Sequence, residues 1–128
     1  MGRYSHKAFN KFIDDMHSHF AKRLPEIEQW EGVRPLLKTL ISDQEILNTS
    51  KGWEKKKGRE YILHHDPKFD FFVGVLVREP KHIATAHDHG PTWTVYGVLD
   101  GDEVTQIYAV SYTHLRAHET RHDLVCRL

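Results

Sequence analysis

Residues 69–101 read FDFFVGVLVREPKHIATAHDHGPTWTVYGVLDG, and this stretch decides the fold that we expect. Short apolar runs alternate in it with turn-forming pairs such as Pro80-Lys81 and Asp100-Gly101. Runs of this length that are rich in Val, Phe and Thr and end at turns are typical of β-strands. The predicted strands are 61–63, 69–78, 83–89, 93–99 and 103–109. Asp100-Gly101 predicts a hairpin between the last two.

The first half of the chain has a helical pattern instead. Apolar residues recur at intervals of three and four along residues 9–20 and again along residues 33–41. Ser42-Asp43-Gln44-Glu45 has the form of a capping box, which predicts a further helix. We therefore expect a helical segment over residues 1–52 and a β segment over residues 53–109. Helices followed by closely spaced strands indicate an α+β protein with a mainly β core, in which the strands form an antiparallel barrel or sandwich.

The composition limits the classes of partner. The chain has 128 residues with 18 basic and 18 acidic side chains, so its formal net charge is zero. A balanced chain gives no electrostatic reason to expect a nucleic acid or an anionic membrane surface as partner. No apolar run approaches the roughly 20 residues of a membrane span, and the first residues lack the apolar core of a signal peptide. We expect a cytoplasmic protein with no nucleic-acid partner and no membrane partner.

Residues 110–128 have a different origin in our interpretation. VSYTHLRAHET, at residues 110–120, resembles one reading frame of a transposase-type sequencing adapter, and LVCRL, at residues 124–128, resembles the primer that follows it. We therefore expect a non-native, adapter-derived tail after Ala109. The single cysteine of the chain, Cys126, lies in this tail, as do three of the eleven histidines. None of these four residues is a candidate metal ligand.

Two His-x-His pairs remain, and geometry separates them. His17 and His19 lie on a predicted helix, where positions two apart point about 200° away from each other, so we interpret them as helix-surface histidines. His87 and His89 lie on a predicted strand, where positions two apart share a face. Their backbone positions are about 6–7 Å apart, so two imidazoles can converge on one metal at about 2.0–2.2 Å. This pattern predicts a metal site, and a hydrogen-bonded core pair is the alternative.

The second pair lies in a stretch that resembles a known family. Residues 80–101 resemble the first cupin motif of the cysteine dioxygenase-like, or thiol dioxygenase, family: His87-Asp88-His89 is followed, twelve residues after His89, by the hairpin residue Gly101. The upstream residues 59–69 and the helical first part are also similar to that family. The resemblance implies an incomplete cupin double-stranded β-helix that is truncated after the first cupin motif.

The resemblance also implies a cofactor and a reaction. Fe(II) is held by three histidines in that family; His87 and His89 would be the first two ligands, and the third is missing from this chain. Trp93 and Thr94 stand where the general cupin pattern has a glutamate ligand, which favours the three-histidine type. The implied partners are O₂ and a small thiol of the cysteine or 3-mercaptopropionate type, and the product is a sulfinate.

The substrate's carboxylate needs a binding group as well. Arg59 is the candidate, because it matches the family position and binds carboxylates with two hydrogen bonds. Alternatively, Arg59 is a solvated charge that belongs to the same charged stretch as Lys55-Lys56-Lys57. Tyr61, on the same strand face by parity, is the second choice. Of the neighbours His64 and His65, at most one points inward, and we expect surface positions for them.

Two other functions stay open at this point. One is a metal-dependent cupin of different chemistry, such as an isomerase or hydrolase using Zn, Mn or Ni. The other is a non-catalytic cupin that binds a small molecule. The enzyme hypothesis concerns the full-length parent; with two ligands at most, this fragment is expected to bind metal weakly and to be inactive. An incomplete barrel is also expected to expose strand edges and to aggregate.

Overall fold

The computed structural model describes residues 4–56, 59–79, 81, 83, 92–104 and 123–127. Its helices are α1 (Lys7–Phe20), α2 (Glu26–Glu31), α3 (Val33–Ile41) and α4 (Gln44–Ser50), and a 3₁₀ segment (Lys51–Lys56) follows them. Its strands are β1 (Arg59–His65), β2 (Phe72–Val77), β3 (Thr94–Val98) and β4 (Asp123–Arg127). Helices followed by strands confirm the mixed α+β class.

The helices form where the apolar spacing predicted them. The buried residues of α1 are Phe9, Phe12, Ile13, Met16 and Phe20. Because intervals of three and four return to one side of a helix, these five side chains form a single apolar face. Helix α4 begins next to the predicted capping box, but its N-cap is Asp43 and not Ser42: Asp43 Oδ2 accepts the Ile46 N–H at 3.1 Å, and the Ser42 hydroxyl donates instead to the Lys38 carbonyl. Helix α2 was not predicted: it is six residues long, and none of its residues is buried.

Strands β1 and β2 form an antiparallel hairpin. Tyr61 lies opposite Val75 and His64 opposite Val73, and the register shifts between Ile62 and His64. The shift inserts one residue, Leu63, so that Tyr61 and His64 share a face although they are three positions apart. The predicted strand 69–78 in fact begins at residue 72, because residues 66–70 form a turn.

The helices pack against the hairpin and β3 through aromatic rings. Phe20 of α1 meets Phe69 and Phe71 of the hairpin turn with ring centroids 5.6 and 5.5 Å apart. Trp30 of α2 stacks on Trp93, just before β3, at 6.5 Å. These contacts join the helical and β segments through one apolar cluster.

Helix α3 lies directly on β3, and a glycine makes the close approach possible. A Cβ at Gly97 would lie 2.9 Å from Ile41 Cδ1 and 3.1 Å from Ile41 Cγ2. Both distances are shorter than ordinary van der Waals contact, so a side chain at this position would require the Ile41 side chain or α3 itself to shift.

The second sheet differs from the expectation. Gly101 has φ +80, as the predicted turn requires, but residues 102–104 are not in a strand, and residues 105–122 lie outside the described residues. Strand β3 pairs instead with β4 in parallel, with Thr94 opposite Asp123 and Val98 opposite Arg127. The pairing places five residues of the expected adapter-derived tail beside β3.

The double-stranded β-helix is not seen among the described residues, whose sheets are two separate two-stranded pairs. Of the predicted strand 83–89, only residue 83 is described, and it is not in a strand. Among the described helices, none has both the length and the apolar character needed to cross a bilayer.

Candidate functional site

The two predicted iron ligands, His87 and His89, lie outside the described residues. The convergence of their rings therefore stays a prediction. Within the described part of the chain, no group of three or more His, Cys, Asp or Glu side chains is arranged to hold a metal ion.

The two predicted substrate-binding residues lie on β1. The backbone of Arg59 is opposite Val77, and that of Tyr61 is opposite Val75, which agrees with the predicted parity. The side chain of Arg59 lies outside the described part. Tyr61 is half-buried, and its hydroxyl oxygen is fully covered.

The structure shows a second polar cluster that centres on Asp66, in the turn after β1. The carboxylate of Asp66 is 0% exposed. Its Oδ2 accepts the backbone N–H groups of Lys68 at 3.1 Å and Phe69 at 2.8 Å. Its own backbone N–H donates to the Phe71 carbonyl at 2.8 Å, and its carbonyl accepts the Asp70 N–H at 2.9 Å. The side chain therefore builds the turn, as aspartate often does through local backbone hydrogen bonds.

The other carboxylate oxygen of Asp66 is shared by two histidines. His17 Nε2, from α1, lies 2.5 Å from Oδ1, and His64 Nε2, from β1, lies 3.0 Å from it. Because an ionised carboxylate only accepts hydrogen bonds, both rings carry their proton on Nε2. A helix and a strand that are far apart in sequence are thus tied to one oxygen atom.

These hydrogen bonds decide the protonation state of Asp66. Burial disfavours the charged form and by itself raises the pKa of this carboxyl group. The hydrogen bonds from His17, His64 and the Phe69 backbone outweigh burial and lower the pKa from 3.8 to about 2. Asp66 is therefore a buried carboxylate that stays ionised well below neutral pH.

The cluster continues to the N-terminal segment through His64. The Tyr4 hydroxyl lies 2.5 Å from His64 Nδ1. With the His64 proton on Nε2, Nδ1 is an acceptor, so Tyr4 O–H donates to it. Tyr4 is positioned in turn by Asn10, whose side chain bonds both the backbone N–H (2.8 Å) and the carbonyl (2.6 Å) of Tyr4. We call the four side chains Tyr4, His64, Asp66 and His17 the Asp66 network.

Sequence reasoning missed this network. We interpreted His17 and His19 as surface histidines, but both are half-buried and bonded: His17 contacts Asp66, and His19 Nε2 lies 2.7 Å from the Gln29 carbonyl. Their divergence agrees with the helical geometry. The expected surface position of His64 is wrong, since only 5% of the residue is exposed, whereas His65 is exposed as expected. One sequence signal could have indicated the network: Asp66-Pro67 is a turn-forming pair directly after His64 and His65, which places an aspartate side chain near the two histidines.

Comparison with known proteins adds no assignment. The chain matches no protein-family model, no curated protein and no solved structure. The function proposed below is therefore based on the motif around His87 and His89 and on the contacts of the described residues.

Proposed function

We propose that this chain is the N-terminal part of an iron-dependent thiol dioxygenase that acts in the cytoplasm, where thiols are kept reduced. The observation that carries the proposal is the motif at residues 80–101, in which His87-Asp88-His89 is followed by the hairpin residue Gly101 at the family spacing. The α+β order of the described elements is compatible with it.

The donor set suits the metal. His87 and His89, with a third imidazole from the full-length parent, would supply three neutral nitrogen donors, a set that suits a divalent iron ion. Bound iron would supply the redox chemistry by which O₂ oxidises the substrate thiolate to a sulfinate.

The protein's own residues bind and orient the substrate in this proposal. Arg59 binds the carboxylate of a cysteine-like or 3-mercaptopropionate-like thiol, because a guanidinium group can donate two parallel hydrogen bonds to a carboxylate. Tyr61, two positions along β1, is the second candidate for contact with the substrate.

The test compares this chain with a longer product of the same gene that supplies a third histidine. Both are loaded with Fe(II) without oxygen, and O₂ consumption is then measured with cysteine and with 3-mercaptopropionate. We expect thiol-dependent O₂ uptake by the longer protein, loss of iron in its His87→Ala and His89→Ala variants, and unchanged iron in the matched His65→Ala variant.

Three results would contradict the proposal or its parts. If iron binding survives both substitutions, His87 and His89 are not the iron ligands. Metal binding without O₂ uptake by the longer protein favours a non-catalytic or different metal-dependent cupin. Stoichiometric iron with thiol oxidation by the 128-residue chain contradicts the view that this chain lacks a ligand.

A further inference from the structure

The Asp66 network contains an arrangement that the proposed dioxygenase does not use. Tyr4, His64 and Asp66 form a continuous series in which a hydroxyl meets one ring nitrogen and a buried carboxylate meets the other. We propose that the Tyr4 hydroxyl is a nucleophile activated by His64, and that it takes an acyl group from small activated acyl donors.

The geometry is that of a nucleophile, a base and a group that orients the base. The Tyr4 oxygen is 2.5 Å from His64 Nδ1, and His64 Nε2 is 3.0 Å from Asp66 Oδ1. The second distance lies within the range of about 2.6–3.2 Å that is usual for a nucleophile, its base and the carboxylate that orients the base, and the first lies just below that range. Asp66 is a positioning residue here, since it contacts His64 and not the acyl donor.

The parts of this series are held in place before any reagent arrives. Two backbone N–H groups hold Asp66 Oδ2, and the Asn10 side chain holds the backbone of Tyr4 on both sides. The Tyr4 ring packs edge-on against Phe9, with centroids 4.7 Å apart. A nucleophile that is already oriented needs no further ordering during the reaction, which lowers the barrier.

Exposure favours contact of a reagent with Tyr4 over contact with the base. Tyr4 as a whole residue is 38% exposed, whereas the side chain of His64 is 3% exposed. A small donor in solution therefore meets Tyr4 first, while the buried imidazole acts on the proton of the phenol.

The reaction is a balanced acyl transfer. His64 Nδ1 takes the proton of the Tyr4 hydroxyl while the phenol oxygen forms a bond to the acyl carbon. The bond from that carbon to the leaving group then breaks, and the leaving group departs with the electron pair and receives the proton from Nδ1. Asp66 stabilises the transient imidazolium, and the product is a tyrosine ester.

The experiment uses N-acetylimidazole on the intact chain at neutral pH, with acetylation followed at each tyrosine by peptide mass spectrometry. We expect Tyr4 to react at least about tenfold faster than Tyr61 and Tyr96. Its rate is expected to fall by about 100-fold or more in His64→Gln, because general-base assistance typically contributes factors of about 10² to 10⁴. The matched variant His65→Gln, which changes the exposed neighbour bonded to Asp70, is expected to leave the rate unchanged.

A pH profile separates base assistance from mere exposure and needs no variant to fold. With His64 acting as base, the acetylation rate of Tyr4 in the unmodified chain is expected to rise less steeply than tenfold per pH unit, because it does not depend on ionisation of the phenol. A rate that keeps rising tenfold per pH unit toward about 10, as for a free phenol, would overturn the proposal. So would a Tyr4 rate that is unchanged in a folded His64→Gln variant.

Discussion

The two faces of the β1–β2 hairpin carry similar residues in opposite surroundings. On the inner face, Val73 packs against the helical core, and Phe71, directly before β2, is buried at 5% exposure. On the outer face, Ile62, Phe72 and Leu76 are exposed, Phe72 at 61%. Side chains alternate between the two faces along a strand, so position in the strand decides the face on which a residue lies. Because helices cover only one face, burial of an apolar side chain on that face stabilises the fold more than the same side chain does on the other face.

Each face also carries one histidine–aspartate pair. His64 bonds Asp66 inside at 3.0 Å, and His65 bonds Asp70 outside at 2.6 Å, where the two side chains are 50% and 84% exposed. The outer bond is shorter, yet water competes for both of its partners, so its contribution to stability is small. The inner bond joins two side chains that are only 3% and 0% exposed, so breaking it leaves the buried Nε2–H of His64 without this partner and removes one donor from the Asp66 carboxylate.

The largest expected difference between the faces is in apolar burial. Phe71→Ala is expected to lower the free energy of unfolding by about 3–5 kcal/mol, because it leaves a cavity between His17, Phe20 and His64. The neighbouring Phe72→Ala removes an exposed ring and is expected to cost less than about 1 kcal/mol. Urea unfolding of both variants measures this. Equal losses would contradict the assignment of inner and outer faces.

The aspartates provide the next comparison. In Asp66→Asn, an amide N–H₂ replaces one carboxylate oxygen and meets N–H donors, so we expect a loss of about 2–4 kcal/mol. Asp70→Asn keeps the left-handed backbone (φ 56) that asparagine tolerates and is expected to change stability by less than about 0.5 kcal/mol. Thermal unfolding of both variants and of the unmodified chain measures these losses of stability. A loss in Asp66→Asn smaller than about 2 kcal/mol would show that the Asp66 network does not stabilise the fold.

Acid should affect the inner pair selectively. Asp66 has a pKa of about 2 in the folded chain, against 3.8 for an ordinary aspartate. The unfolded chain therefore binds this proton first as pH falls. The corresponding stabilisation, about 2 kcal/mol, is present above pH 3.8 and is lost as pH falls toward 2. The measurement is the free energy of unfolding at pH 5 and at pH 2.

The comparison is between the unmodified chain and a variant without the Asp66 carboxyl group. Asp66→Asn is expected to show a flatter dependence on acid than the unmodified chain. Parallel curves for the two proteins would refute the assigned role of Asp66.

The smallest effect on stability is expected on the outer face. Leu76→Lys adds a charge to an exposed apolar position and is expected to leave the free energy of unfolding within about 0.5 kcal/mol, while self-association in sedimentation experiments decreases. Val73→Lys, on the inner face, would place the same charge at a partly buried position against the core and is expected to lower the free energy of unfolding by more than Leu76→Lys does. A large destabilisation by Leu76→Lys would show that the outer face is covered.

Local pattern was enough to predict much of the fold. The sequence predicted helices α1 and α3 from their apolar spacing, a further helix starting near Ser42, and strands in the region of β1 and β2, because each of these signals depends on residues close to one another in the chain. The start of β2 was placed too early, since the bonds of Asp66 to residues 68–71 extend the turn. The parallel partner of β3 was missed because nothing local to residues 94–98 specifies it.

The order of helices and strands follows from the local sequence, as does the direction in which neighbouring side chains point, including the divergence of His17 from His19 and of His64 from His65. Which of these side chains finds a partner depends on how the elements pack together. His17 and Asp66 are 49 positions apart, and their contact exists because an apolar helix face and a hairpin turn are buried against each other. A periodic pattern records the side on which a residue lies, whereas the desolvation of a charged group, and the hydrogen bonds that compensate it, depend on everything packed around it.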